Sequence, residues 1–148
     1  MKGYHYTSAL SEENKLIQNQ NEDMIKLVAF DWNGTIISDT LAAWESDNRT
    51  LIKLGHKPIS LKRFRATFDT PFIEYYVANG LNRQYISRNS KQIDAIFHLI
   101  YEERVKKVRT RSGVRELLKW LKKNKIQAII YSNHIVNGIE FHLKRLGI

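Results

Sequence analysis

Cysteine is absent from the chain, which excludes disulfides, thiolate metal sites and a cysteine nucleophile; any catalysis falls to oxygen or nitrogen groups. That absence also fits a reducing compartment. Long apolar runs are missing too. Stretches such as Leu27-Val28-Ala29-Phe30 fall far short of the roughly 18 residues that cross a bilayer, and the N-terminus has no signal-peptide apolar core. The expectation is a soluble, cytoplasmic protein with no membrane partner. No internal repeat, low-complexity tract or histidine spacing of a metal motif is visible.

What is present suits one globular core: 148 residues, 43% hydrophobic and 26% charged, with three Trp, seven Tyr and six Phe. The net charge of +9 is unevenly placed. Residues 1–24 hold two lysines against Glu12, Glu13, Glu22 and Asp23, whereas residues 104–148 hold twelve Lys/Arg against only Glu116 and Glu140. A basic C-terminal third attracts phosphate-bearing partners in general, from small anions to nucleic acid.

Residues 1–24 read as a polar, mobile or loosely helical leader. Ile25 to Phe30 is an apolar run broken only by Lys26, and it stops at the turn cluster Asp31-Trp32-Asn33-Gly34-Thr35, so a buried strand ends in a polar loop. From Leu41 to Val108 the pattern is helical and aromatic. One helix is expected over Leu41 to Leu54, shorter ones near Leu61 to Phe68 and Pro71 to Val77, and a longer one near Lys91 to Val108. After Ser112-Gly113, the residues Val114, Leu117, Leu118 and Leu121 form one helical stripe with charge opposite. Ile126 to Tyr131 is a second short apolar run, ending at Ser132-Asn133, and a helix is expected from about Val136 to Leu146.

The order strand, helical insert, helix, strand, helix is an α/β unit with parallel strands near 26–31 and 126–131, both delivering polar ends to one sheet edge. Asp31 and Ser132 are expected to be neighbours there. A carboxylate at a strand end, a glycine in the following turn and nearby hydroxyls form a phosphate site: Asp31 as nucleophile or metal ligand, Gly34 for close backbone approach, Ser132 and backbone N–H groups for the oxyanion.

Phe30-Asp31-Trp32-Asn33-Gly34-Thr35, followed by Ile36-Ile37-Ser38-Asp39-Thr40, resembles the first motif of haloacid dehalogenase superfamily hydrolases, in the branch similar to phosphoglycolate phosphatases. Ala128 to Asn133 resembles the second motif, an apolar strand ending in Ser or Thr. Ser112 to Leu118 resembles the helix entry before that strand, with Ser where Pro is usual. The resemblance covers about Met24 to Ile148 and implies a partial Rossmann-like core, over residues 25–40 and 109–148, with a helical cap over 41–108 that selects the substrate.

The resemblance further implies a phosphatase-like hydrolase of a small phosphorylated metabolite, with Asp31 attacking phosphorus to give an aspartyl-phosphate that water then hydrolyses. Mg²⁺ is the implied cofactor, held by Asp31 and the backbone carbonyl of Asn33. Phosphate binding is implied for Trp32, Gly34, Thr35, Ser132 and Asn133, mostly through backbone amides. Two departures stand out. Asn33 occupies the position where most phosphatases of the family carry a general acid/base Asp, and an amide has no proton to exchange, although Asp-Trp-Asn-Gly-Thr resembles a recurring variant among such hydrolases. The third-motif Lys and fourth-motif acidic cluster would lie beyond Ile148, which suggests a truncated chain. Two strands alone leave sheet edges that invite self-association.

The alternative is a non-catalytic remnant or a phosphate- or nucleic-acid-binding module. Nucleic acid is the lesser reading, because the charges over residues 113–125 sit as an amphipathic helix's solvent face requires. His134 reads as a solvated residue in a helix's first turn, Ser132-Asn133 alone would read as a helix N-cap, and Phe64, Phe68, Phe72 and Tyr76 read as packing residues.

Overall fold

The computed structural model describes residues 25–68 and 71–148, so the leader expected over residues 1–24 lies outside the described residues. Strand β1 (Leu27–Phe30) pairs in parallel with β2 (Gln127–Ile130) in the register Leu27↔Gln127 to Phe30↔Ile130. Beyond the register, the Tyr131 N–H donates to the Phe30 carbonyl at 2.8 Å. Both strands therefore end at one edge of the sheet, Asp31 following β1 and Ser132 following β2, as their parallel pairing requires. The observed strands sit just inside the expected bounds. Among the described residues the sheet has only these two strands, and both outer edges are unpaired.

Between them lies a helical insert of α1 (Thr40–Lys53), α2 (Leu61–Thr67), α3 (Phe72–Ala78) and α4 (Arg83–Val105). Helix α1 presents Ala42, Ala43, Ser46 and Thr50 inward, and these small side chains let it lie close along α4. The buried hydroxyls are satisfied within the helix: Ser46 donates to the Ala42 carbonyl at 2.6 Å and Thr50 to the Ser46 carbonyl at 2.9 Å. Ser60 caps α2 and Asn82 caps α4, each side-chain oxygen accepting from the backbone N–H three residues on. The longest helix starts at Arg83 rather than near Lys91. Its first turns carry mainly polar residues, with Ile86 and Ile93 one heptad apart as the buried contacts, so apolar periodicity was too sparse to mark the start that the Asn82 cap defines.

Helix α5 (Val114–Lys123) precedes β2, and α6 (Val136–Leu146) follows it. Of the expected α5 stripe, Leu121 is buried, Val114 and Leu118 are half-buried and Leu117 is exposed; Trp120 and the β2 residue Ile129 are exposed as well. The main core lies elsewhere. Trp32, Ile36 and Ile37, from the loop after β1, join Leu51, Phe64, Tyr75, Tyr76, Ile93, Tyr101 and Val105 in one continuous cluster. The aromatic residues pack as expected within the insert, Phe64 against Phe68 at 4.9 Å and Phe68 against Phe72 at 6.0 Å, although Phe68 and Phe72 stay partly open to solvent. No helix among the described residues is long and apolar enough to cross a membrane.

Candidate functional site

The loop after β1 is shaped by one carbonyl and one carboxylate. The Trp32 carbonyl accepts from the N–H groups of Ile36 at 3.0 Å and Ile37 at 3.2 Å, which folds the chain back on itself. The Trp32 indole is fully buried, so any phosphate contact from this residue falls to its backbone N–H. Gly34 adopts φ +72°, a left-handed conformation open to glycine. Its N–H donates to Asp39 Oδ1 at 2.6 Å and is thereby committed to the protein.

Asp39 is 3% exposed and collects two further donors on Oδ2, Asn33 Nδ2 at 2.7 Å and the Tyr101 hydroxyl at 2.7 Å. Asn33 Nδ2 also donates to the Tyr101 oxygen at 2.8 Å. Burial first, then the Asp39 carboxylate, raises the Tyr101 pKa well above the usual phenol range, so this hydroxyl is a fixed donor. Loop and α4 are thus tied by a closed polar network. Sequence reasoning placed Asp39 only inside a motif and gave Tyr101 no role.

Asp31, by contrast, stands exposed, with a single long contact from Thr35 Oγ1 to Oδ2 at 3.4 Å. Its carboxylate is open to a ligand or an electrophile. The Asn33 side-chain nitrogen is held by Asp39 and Tyr101, and no backbone N–H of the described residues donates to the Asn33 carbonyl. One carboxylate and one carbonyl are hard oxygen donors suited to Mg²⁺, which keeps several waters and takes the rest of its shell from substrate phosphate. Among the described residues no cluster of three or more His, Asp or Glu could hold a metal without such help.

At the end of β2 the Ser132 hydroxyl accepts from the His134 N–H at 3.2 Å. The N-cap of α6 is Ile135, with no side-chain cap bond, so Ser132 and Asn133 stand in a bend ahead of the helix and do not cap it. Ser132 retains its own hydroxyl proton to donate. Asn133 faces a cleft shared with the insert residues Phe72, Tyr76 and Asp94. His134 is not solvated: its side chain is 5% exposed, its ring lies 6.0 Å from that of Tyr101, and Nε2 is 3.9 Å from Glu102 Oε1 without a hydrogen-bond partner. Burial lowers its pKa against the opposing pull of Glu102. The β2 bend is short, so His134 follows Ser132 into the seam between the sheet edge and α4.

A family model described as haloacid dehalogenase-like hydrolase matches residues 28–148. The fold is similar to that of a candidate phosphoglycolate phosphatase from Lactobacillus delbrueckii subsp. bulgaricus, with TM-score 0.67 and 15% identity over 82% of this chain and 60% of that one. A haloacid dehalogenase-like family hydrolase from Streptococcus pneumoniae superposes with TM-score 0.71 and 18% identity, over 84% of this chain and 57% of that one. A hydrolase of the same family from Deinococcus radiodurans, crystallised with bound phosphate and sodium, gives TM-score 0.57 at 16% identity, over 83% and 53%. The chain thus spans a little over half the length of these structures. None of the curated proteins matches it.

Proposed function

Because the chain belongs to the haloacid dehalogenase-like hydrolases, we propose that it acts as a phosphatase on a small phosphorylated metabolite, with Asp31 as nucleophile. The observation that carries this reading is the contrast between the two carboxylates of the loop, Asp39 buried and saturated with donors, Asp31 exposed and nearly free. One holds the loop in shape; the other is left to react.

In this reading an Asp31 oxygen attacks phosphorus, the bond to the ester oxygen breaks and an aspartyl-phosphate forms. Water then attacks that phosphorus, releasing phosphate and restoring the carboxylate. Ser132 and the backbone N–H groups after Asp31 and Ser132 hold the phosphoryl oxygens. Mg²⁺, held by the Asp31 carboxylate and the Asn33 carbonyl, would neutralise phosphate charge. Asn33 gives no proton to the departing alkoxide, so esters with acidic leaving groups suit this site best. The helical insert serves as the cap, closing the Asn133 side of the cleft.

Purified protein is expected to hydrolyse an activated aryl phosphate in Mg²⁺ buffer and to lose that activity in Asp31→Asn. Turnover unaffected by that change rules out Asp31 as nucleophile. Mg²⁺-dependent binding of a phosphate mimic without turnover above the buffer blank identifies a phosphate-binding module instead.

A further inference from the structure

Two adjacent residues of α4 touch both halves of the site. Tyr101 donates to Asp39 and accepts from Asn33 in the loop after β1. Glu102, next in the chain, brings Oε1 to 3.9 Å from His134 Nε2 in the bend after β2. Both of those atoms are buried and neither has a hydrogen bond, so a carboxylate oxygen and a ring nitrogen face each other across a narrow gap. Burying such groups is costly, and the phosphatase reading gives neither of them a task.

The His134 ring is confined from several sides. It meets the Tyr101 ring edge-on at 6.0 Å, and only 5% of its side chain is exposed. Gly138, in the first turn of α6, leaves the room it needs, because a Cβ there would come within 2.7 Å of Nε2. A side chain held in this way fixes the backbone that carries it. The His134 backbone N–H in turn donates to Ser132 Oγ at 3.2 Å, which orients that hydroxyl and leaves its own proton to donate elsewhere.

We propose that His134 is a positioning residue for phosphoryl transfer: anchored on α4 at Tyr101 and Glu102, it fixes the Ser132 hydroxyl relative to Asp31. The proposal rests on the phosphatase reading for the roles of Ser132 and Asp31. One turn of the insert then sets the relative placement of the two loops, Tyr101 holding the first and Glu102, through His134, the second. His134 acts through Ser132 and not on the substrate.

The test is a double-mutant cycle on kcat for an activated aryl phosphate, with the full chain in Mg²⁺ buffer. Ser132→Ala is expected to lose about 10²- to 10³-fold, as for removal of one oxyanion donor. His134→Ala should lose up to about 10²-fold by misplacing that donor, and the double variant should be no slower than Ser132→Ala alone. His134→Gln, whose side-chain amide can donate to Glu102, should recover part of the loss. Gly138→Ala provides a variant that folding does not limit, since alanine favours a helix over glycine while its Cβ pushes the His134 ring aside. It too should slow the parent and leave Ser132→Ala unchanged. Parent-like kcat in both His134→Ala and Gly138→Ala, or losses that multiply with that of Ser132→Ala, overturns the proposal; the phosphatase reading then stands on the parent's turnover and its loss in Asp31→Asn. No turnover by the parent overturns both.

Discussion

Asn33 places its amide nitrogen 2.7 Å from the Asp39 carboxylate, at the position where related phosphatases carry a second aspartate. A carboxyl group there would face a buried carboxylate across a hydrogen bond, and two such groups share one proton, so one of them titrates far above the ordinary range. Asn33→Asp is therefore expected to hold a proton at neutral pH and to supply the missing acid. Turnover of an unactivated alkyl phosphate should rise by about 10² to 10⁴, and that of an aryl phosphate much less. The comparison of kcat on the two esters checks this; equal effects on both would count against leaving-group protonation.

Removing Asp39 leaves three donors facing a hole: Gly34 N–H, Asn33 Nδ2 and the Tyr101 hydroxyl. Asp39→Ala should cost roughly 3 to 5 kcal/mol by denaturant unfolding, and Tyr101→Phe about 1 kcal/mol. The two losses should not add, because both act on one network.

The strand–helix–strand order was legible because each apolar run ends in a polar cluster, and the α1, α5 and α6 boundaries because Gly55, Gly113 and Gly147 punctuate the periodicity. The loop network was not. Tyr101 stands 62 positions from Asp39, on a helix whose start is nearly devoid of apolar signal, and no local pattern predicts that such residues meet. His134 misled for the opposite reason: its immediate neighbours Asn133 and Ile135 are exposed, while the group that buries it, α4 with Tyr101 and Glu102, comes from far along the chain.

Asp47 should set a pH dependence of stability. Burial raises its folded pKa from the ordinary 3.8 to about 7, so between those values the folded chain binds the proton that the unfolded chain has released. Stability from this group is full below about pH 4 and declines as pH rises to about 7, by on the order of 4 kcal/mol. Asp47→Asn should therefore be more stable than the parent at pH 8 and should lose this slope. His134 and His142 act in reverse, since burial lowers both pKa values and their contribution is lost as pH falls below 6.5. The difference between parent and Asp47→Asn unfolding curves across pH isolates Asp47.

At Gly34 a Cβ would meet nothing within 4 Å, so Gly34→Ala tests the left-handed φ alone. A loss of about 1 to 2 kcal/mol is expected by thermal unfolding. Gly34→Pro, which also deletes the N–H to Asp39, should lose clearly more.

The register of the sheet has a temporal side. Leu27 waits for Gln127, 100 positions later in the chain, whereas the long-range tie of the insert from Asp39 to Tyr101 spans 62. Closing so long a loop is slow relative to local helix formation. On a ribosome adding about 5 to 20 residues per second, β1 emerges roughly 5 to 20 s before its partner strand has been made. During that interval an apolar segment with a bare backbone edge is in solution while the insert folds beside it. Synthesis rate and chaperone supply then bear on the yield of correctly paired sheet alongside the final contacts.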